Sequence, residues 1–419
     1  LEKLVINGGK PLNGSVRIGG AKNACLPILS AVILAEGSYK ISNVPDLKDI
    51  RTMLSLLGEV GVSAERKNGD IFLTCSDDMD KIVAPYELVK TMRASVLTLG
   101  PLLARKKKAK VSLPGGCAIG ERPVDQHIKA LKLMGADISV AHGYIEAECE
   151  RLKGAEITFD MVTVTGTENI LMAAALAEGE TVLYNAAQEP EVVDLARFLK
   201  KMGAKIEGEG TTVIRVKGVE KLNSNDYIVM PDRIEAGTFL CAVACAGGKV
   251  TLENAPVSSM TAIIDKLVQT GLNIKVVNDS TITVEKNGRL EGTDISTQPY
   301  PGFPTDMQAQ FMSVMAASQG VSVITETIFE NRFMHVSELK RMGADIKLKD
   351  KSAIIRGVEK FTGAPVMASD LRASASLVIA ALMAEGTSEI LRVYHLDRGY
   401  ERFDEKLSLL GADITRTAE

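Results

Sequence analysis

The chain has 419 residues, 46% of them apolar and 24% charged; that length exceeds one ordinary hydrophobic core and predicts two domains. Its net charge of −4 excludes a general nucleic-acid binder, which needs a basic surplus. An anionic ligand must therefore be met by a local cluster of Arg and Lys.

From the N-terminus, LEKLVINGGKPLNGSV has no apolar h-region and is not expected to be a signal peptide. No stretch is long and apolar enough to span a bilayer. Six apolar helix candidates then follow in order: KNACLPILSAVILAEG, RASVLTLGPLLARK, GTENILMAAALAEG, EAGTFLCAVACAGG, DMQAQFMSVMAASQG and RASASLVIAALMAEG. Several run into β-like sequences such as ETVL or KVTL. A helix that is apolar on nearly every face must be buried on all sides.

A second pattern alternates with the first. LLGEVGVSAE, LKLMGADISV, LKKMGAKIEG, LVQTGLNIKV, LKRMGADIKL and LSLLGADITR each join the end of an amphipathic helix to the start of a strand. The glycines 58, 135, 203, 271, 343 and 411 are placed at the helix ends, where a left-handed residue is needed. After the first interval they recur every 68 to 72 residues. The chain thus reads as six α/β units of about 70 residues, longer than solenoid repeats, arranged as two domains of three. VMPDRIEAG near 230 is the expected crossover, and the N-terminal strand is expected to pair back into the C-terminal domain. The boundaries read 22–230 for one domain, and 1–21 with 231–419 for the other.

The cysteines at 25, 75, 117, 149, 241 and 245 show no disulfide framework and read as the free thiols of a reducing cytoplasm. The pair in CAVAC reads as core packing. With no C-x-x-C, no H-E-x-x-H and four histidines, no metal site is expected. Walker A and G-x-G-x-x-G are both absent from the sequence. RKKKAK at 105–110 reads as a solvated face or turn.

Cys117 stands apart, in SLPGGCAIGERPVDQH. Glycines surround it, Arg122 follows, and a helix is predicted from about Pro123, since Pro favours the first helical position. A thiol near Arg and free N–H groups is acidified below about 8.5. Both a reactive cysteine and an exposed turn cysteine fit the loop. His127 on the following helix lacks a third partner, which argues against a Cys–His nucleophile pair.

Charges also collect where the apolar helices begin: Lys22 and Asn23, Arg93, Asp232 and Arg233, Thr305 and Asp306, Asp370 and Arg372. A cation at a helix N-terminus opposes the dipole but suits a bound anion. The bland alternatives are a Thr305–Gln308 capping box, an Asn23 cap, and arginines paired with carboxylates.

GGAKNACLPIL, TMRAS, LPGGCAIGERPVDQH, FPTDMQAQF, FENRFMHVSELKRMGAD, DLRASASLV and YHLDRGYERFDEKL together resemble the UDP-N-acetylglucosamine 1-carboxyvinyltransferases, enolpyruvyl transferases of bacterial peptidoglycan synthesis. The resemblance runs along the whole chain. It implies an α/β fold, the two-domain inside-out α/β barrel, with three repeats of a βαβαββ-type unit per domain, buried helices and an active site in the cleft between domains. It implies transfer of the enolpyruvyl group of phosphoenolpyruvate to the 3′-hydroxyl of UDP-N-acetylglucosamine, without cofactor or metal. No nucleic acid, membrane or obligate protein partner is implied. Lys22, Arg122 and Arg398, supported by Arg93, Arg332, Asp370 and Arg372, are the implied phosphoenolpyruvate residues. Asp306 is the implied base, Cys117 the implied acid and adduct-forming thiol, and Asn23 an implied holder of sugar and intermediate. Nucleotide-sugar contacts are implied for Asn23, Arg93, Arg122, Pro123, Val124, Asp125, Gln126, Asp306 and Ile328, and in the variable stretch 159–169 for Thr165, Gly166 and Thr167. The sister enzyme acting on shikimate 3-phosphate and a non-catalytic nucleotide-sugar-binding paralogue are the competing readings.

Overall fold

A helix such as RIEAGTFLCAVACA has no polar face to turn toward water. In the computed structural model, which describes residues 2–77, 81–90, 92–113, 124–329 and 331–418, all of Arg233–Ala246 except its last residue is buried. Gln308–Ala317 and Leu371–Met383 are buried almost as completely. These three helices pack on one another within a unit formed by residues 2–19 and 231–418. The second unit, described over 20–77, 81–90, 92–113 and 124–230, is built the same way. Its central helices are Lys22–Ala31, Leu99–Lys106 and Val164–Ala174, with the 3₁₀ turn Arg93–Thr98 leading into the second. Each unit has its own apolar core. Fully burying one Leu or Phe stabilises by roughly 1.5–3 kcal/mol, and that burial, not a polar face, holds these helices in place.

Sheets cover the helices. Among the described residues each unit has three four-stranded sheets of one pattern, a parallel pair extended by two antiparallel strands. In one, Glu156–Thr158 lies parallel to Glu180–Tyr184, followed by Val213–Lys217 and Lys205–Glu207. Alternate residues of Val213–Lys217 are buried, as a sheet with one solvated face requires. The ends of the chain complete the pattern. Glu2–Asn7 lies between Thr387–Leu391 and Asp413–Ala418, and Leu12–Arg17 pairs in parallel with Gly248–Glu253. In the other unit Tyr227–Ile228 returns to pair with Gly37–Ser42.

Among the described residues the amphipathic helices are Lys48–Glu59, Asp125–Leu133, Pro190–Lys201, Thr261–Gln269, His335–Arg341 and Phe403–Leu409. Five of the predicted glycines follow them in left-handed conformation, with φ of +90° at Gly135, +110° at Gly203, +90° at Gly271, +98° at Gly343 and +103° at Gly411. The first repeat departs from the expectation. Gly58 lies inside Lys48–Glu59, and Gly61, at φ +95°, makes the turn. The helix continues past Gly58 because Val60, fully buried, closes its last turn by bonding back to Leu56 and Leu57.

RKKKAK is also only partly as expected. Lys107 turns at φ +62°, but Arg105 reaches inward to the Ile33 carbonyl and the Cys75 sulfur, both at 2.9 Å. Cys241 and Cys245 are buried core thiols; burial pushes Cys245 up to about 12.

The two glycines of the first repeat separate helix propensity from handedness. An added Cβ at Gly58 meets no atom within 4 Å, so Gly58→Ala is expected to be neutral or stabilising by up to about 1 kcal/mol. Gly61→Ala forces a side chain into the left-handed region and is expected to destabilise by about 1–2 kcal/mol. Urea melts of both variants check the opposite signs.

Candidate active site

In the unit of residues 2–19 and 231–418, the three central helices begin with polar side chains, and those of two of them contact each other. Thr305 and Asp306 lie in a single 3₁₀ turn, Thr305–Met307, ahead of Gln308–Ala317. Arg372 is the second residue of Leu371–Met383. Arg332 follows the strand Val321–Thr325. The two guanidinium groups clasp one carboxylate: Arg332 Nη2 is 2.9 Å from Asp306 Oδ1, and Arg372 Nη2 is 2.9 Å from Oδ2. Both arginine side chains are almost wholly buried, at 6% and 4% exposed, whereas Asp306 keeps 24%.

Burial alone would raise the Asp306 carboxyl. The charges of Arg372 and then Arg332, with their hydrogen bonds, outweigh it and hold the group well below the usual carboxylate range. Its contribution to stability is therefore present at neutral pH and lost only as the pH falls below that range. Arg332 Nε and Arg372 Nε and Nη1 are buried and have no hydrogen-bond acceptor among the described residues. Buried guanidinium donors without acceptors are costly, and an oxyanion would satisfy them.

A polar network supports the clasp. The Arg372 guanidinium lies 5.4 Å from the centre of the Tyr400 ring. The Tyr400 hydroxyl is 2.9 Å from Thr238 Oγ1 and accepts from Gln310 Nε2 at 3.0 Å. Gln310 Nε2 also donates to the Asp306 carbonyl at 2.8 Å. Asp370 caps its helix, accepting from the amides of Arg372 and Ala373 at 2.9 and 3.0 Å; Asp232 does the same for Arg233–Ala246. Arg398 ends the 3₁₀ segment Val393–Arg398 and is half-buried. Its neighbour Asp397 is held by both ends of the Arg416 guanidinium at 3.0 and 2.8 Å.

The Thr305–Gln308 capping box does not form. No side chain caps Gln308–Ala317 among the described residues. Thr305 Oγ1 instead donates to the Glu326 carboxylate, and Gln308 Nε2 donates to Glu326 and to the Arg332 carbonyl. A fully buried carboxylate outcompetes the helix for both side chains.

In the other unit, Lys22 opens Lys22–Ala31 and is 8% exposed, with Nζ 3.1 Å from Asp49 Oδ2. No side chain caps that helix among the described residues, so Asn23 is not its cap; it sits half-buried in the first turn. Arg93 opens Arg93–Thr98 and is also half-buried. Val124 is the N-terminal flank of Asp125–Leu133, where Asp125 is exposed, and Gln126 Oε1 accepts from the Met161 amide at 3.3 Å. Of Thr165, Gly166 and Thr167, only Thr165 is more than marginally accessible. Thr167 is fully buried, its hydroxyl donating to the Thr163 carbonyl and accepting from the Ala187 amide at 2.7 and 3.1 Å. Its hydroxyl is committed to the fold, which argues against a ligand contact through that side chain.

His127 is a core residue. Nδ1 is 3.0 Å from Asn169 Nδ2, and Asn169 also bonds the Val96 carbonyl and the Gly100 amide. Burial pushes its pKa down to about 4. Cys117, Arg122 and Pro123 lie outside the described residues. Residues that the sequence reading passed over are Asp49, Thr238, Gln310, Glu326 and Tyr400. Asp49 carried a usable signal: it shares the buried stripe of its helix with Met53 and Leu56, where a carboxylate calls for an internal cation.

The EPSP synthase (3-phosphoshikimate 1-carboxyvinyltransferase) family model matches residues 6–407. Two curated relatives bear the name UDP-N-acetylglucosamine 1-carboxyvinyltransferase. The protein of Nitratidesulfovibrio vulgaris strain Hildenborough is 59% identical over 419 residues, covering 100% of both chains. That of Desulfovibrio desulfuricans is 57% identical over 416 residues, covering 99% of both. The chain belongs to the EPSP synthase family and, within it, to the UDP-N-acetylglucosamine 1-carboxyvinyltransferases. Among solved structures, the enolpyruvyl transferase NikO from Streptomyces tendae matches with a TM-score of 0.90 at 24% identity, covering 100% of this chain and 99% of its own. EPSP synthase from Acinetobacter baumannii matches with 0.79 at 22% identity, covering 100% of both. These two likenesses establish the shared fold.

His127 gives a pH prediction. Its folded pKa is below the ordinary 6.5, so the unfolded chain binds more protons between about pH 6.5 and 4, and stability falls as the pH drops through that window. In His127→Gln that fall is expected to be shallower, as read from urea midpoints across the window.

Proposed function

We propose that the protein transfers the enolpyruvyl group of phosphoenolpyruvate to the 3′-hydroxyl of UDP-N-acetylglucosamine and releases phosphate, in the cytoplasm, as the first committed step of peptidoglycan synthesis. The observation that carries this reading is the Asp306 carboxylate clasped by two buried arginines that retain three donors without acceptors among the described residues. Phosphoenolpyruvate brings a phosphate and a carboxylate, and either supplies the missing oxygens. The nucleotide-sugar relatives at 57–59% identity support that acceptor over shikimate 3-phosphate.

In the proposed reaction Asp306 accepts the proton of the attacking hydroxyl as the oxygen adds to C2 of the enol. A proton reaches C3 from Cys117. Return of a C3 proton to the Cys117 thiolate and departure of phosphate, protonated from Asp306, then restore the double bond and both side chains. Asp306 paired to two arginines is a weak base. An anion that takes up part of their charge raises its basicity toward the level general-base chemistry needs. Lys22, Arg122 and Arg398 hold the anion, with Arg93, Arg332 and Arg372; Asn23 steadies the sugar, and Val124, Asp125, Gln126, Thr165 and Ile328 meet the nucleotide sugar.

Phosphate release from phosphoenolpyruvate is the test, with UDP-N-acetylglucosamine, with shikimate 3-phosphate and with neither. Release is expected only with the nucleotide sugar; release with shikimate 3-phosphate alone refutes the acceptor. Asp306→Asn is expected to lower turnover by about 10²–10⁴-fold, the usual worth of a general base, with an unchanged circular dichroism spectrum. Cys117→Ala is expected to lose turnover while still binding UDP-N-acetylglucosamine by calorimetry.

A further inference from the structure

Glu326 follows the strand Val321–Thr325 and is 1% exposed. A carboxylate so deeply buried survives only when its lone pairs are filled. Oε1 accepts from Thr297 Oγ1 at 2.9 Å and from the amides of Ile328 and Phe329 at 2.9 and 3.2 Å. Oε2 accepts from Gln308 Nε2 at 3.3 Å. The Thr305 hydroxyl straddles both oxygens at 3.1 and 3.0 Å.

The direction of the Thr305 bond matters. An ionised carboxylate only accepts, so the single hydroxyl proton of Thr305 must point at Glu326. Its lone pairs are thereby turned outward, and Arg332 Nη1 donates to them at 2.9 Å. The other end of the same guanidinium, Nη2, holds Asp306 Oδ1. The backbone of Arg332 is tied in as well, because Gln308 Nε2 bonds its carbonyl at 2.9 Å. Each link of the chain Glu326–Thr305–Arg332–Asp306 is therefore oriented in turn from the buried anion at its far end.

We propose that Glu326 is a positioning residue for the transfer reaction: by orienting the Thr305 hydroxyl it locks the Arg332 guanidinium against the Asp306 carboxylate. This role rests on the reading of Asp306 as the base. The competing account is that Glu326 only stabilises the 326–332 turn. The two differ in what a neutral replacement does. In Glu326→Gln the amide oxygen is best placed toward Thr297 and the two backbone amides, three donors that the turn requires. Its NH₂ then faces Thr305 and Gln308, both donors in the native arrangement. The turn keeps its bonds, while the Thr305 hydroxyl loses its Oε2 acceptor, keeps only the 3.1 Å contact to the oxygen that already takes three donors, and meets a competing donor in the new NH₂, so the orientation it offers Arg332 is no longer fixed.

The experiment compares wild type, Glu326→Gln, Thr305→Val, Thr305→Ser and the double variant Glu326→Gln/Thr305→Val. Steady-state phosphate release gives kcat and the KM for UDP-N-acetylglucosamine, and circular dichroism checks folding. Glu326→Gln and Thr305→Val are each expected to lower kcat at least tenfold with KM changed less than threefold. Thr305→Ser, which keeps the hydroxyl, recovers most of the loss, and the double variant is no worse than the more severe single, as for residues acting in one chain. If Glu326→Gln does not fold, the Val and Ser variants of Thr305 decide the question with the carboxylate intact. A kcat for Thr305→Val within twofold of wild type overturns the proposal, as do losses that multiply in the double variant. Wild type without nucleotide-sugar-dependent phosphate release refutes the function itself, and this role with it.

Discussion

Each unit is organised by helices that have no side to show to water. Because Arg233–Ala246, Gln308–Ala317 and Leu371–Met383 are buried nearly all round, only their ends can carry charge without placing it in the core. The sheets and amphipathic helices follow from the same need, since something must cover three apolar cylinders. Ionic chemistry is thus driven to the helix termini. At the N-terminal ends, Asp306 and Arg372 meet each other and are joined by Arg332.

The clasp inverts the usual logic of a helix start. Cations there oppose the dipole, and Arg372 is 3% exposed, so it cannot escape to solvent. Asp306 offsets part of that cost, and Tyr400 presents its ring to the same guanidinium. Two half-neutralised arginines around one carboxylate suit a site that must receive an anion. They are compensated enough to stay folded, and under-bonded enough to gain when oxygens arrive. Full pairing would have left nothing for a ligand to satisfy.

Much of this was legible in the sequence, because it rests on local periodicity. The repeat register, the buried helices, five of the six turn glycines and the arginines at helix starts are all short-range signals. The first glycine was misplaced because LLGEVG offers two candidates three residues apart, and only the packing of Val60 decides between them. The capping box at Thr305 failed for a different reason. Its rule compares a side chain with the nearest backbone amide and takes no account of Glu326, 21 residues away. Glu326 looks like any surface acid until the fold brings Thr305 against it, whereas Asp49, on the apolar stripe with Met53 and Leu56, could have been read as the partner of an internal cation.

The same contrast explains why the two kinds of polar group at these helix ends differ in consequence. As caps, Asp232 and Asp370 accept from amides two and three residues on, within their own helices; such bonds form whenever the helix does. Glu326 gathers donors from residues 297, 305, 308, 328 and 329, segments that meet only when the unit is complete. A carboxylate of that kind adds little to the formation of any one element, because each donor it collects must first be brought in by packing. It selects among nearly equivalent packed arrangements the one in which Arg332 reaches Asp306. The apolar helices determine that the unit folds; the buried carboxylate determines which way its arginine points.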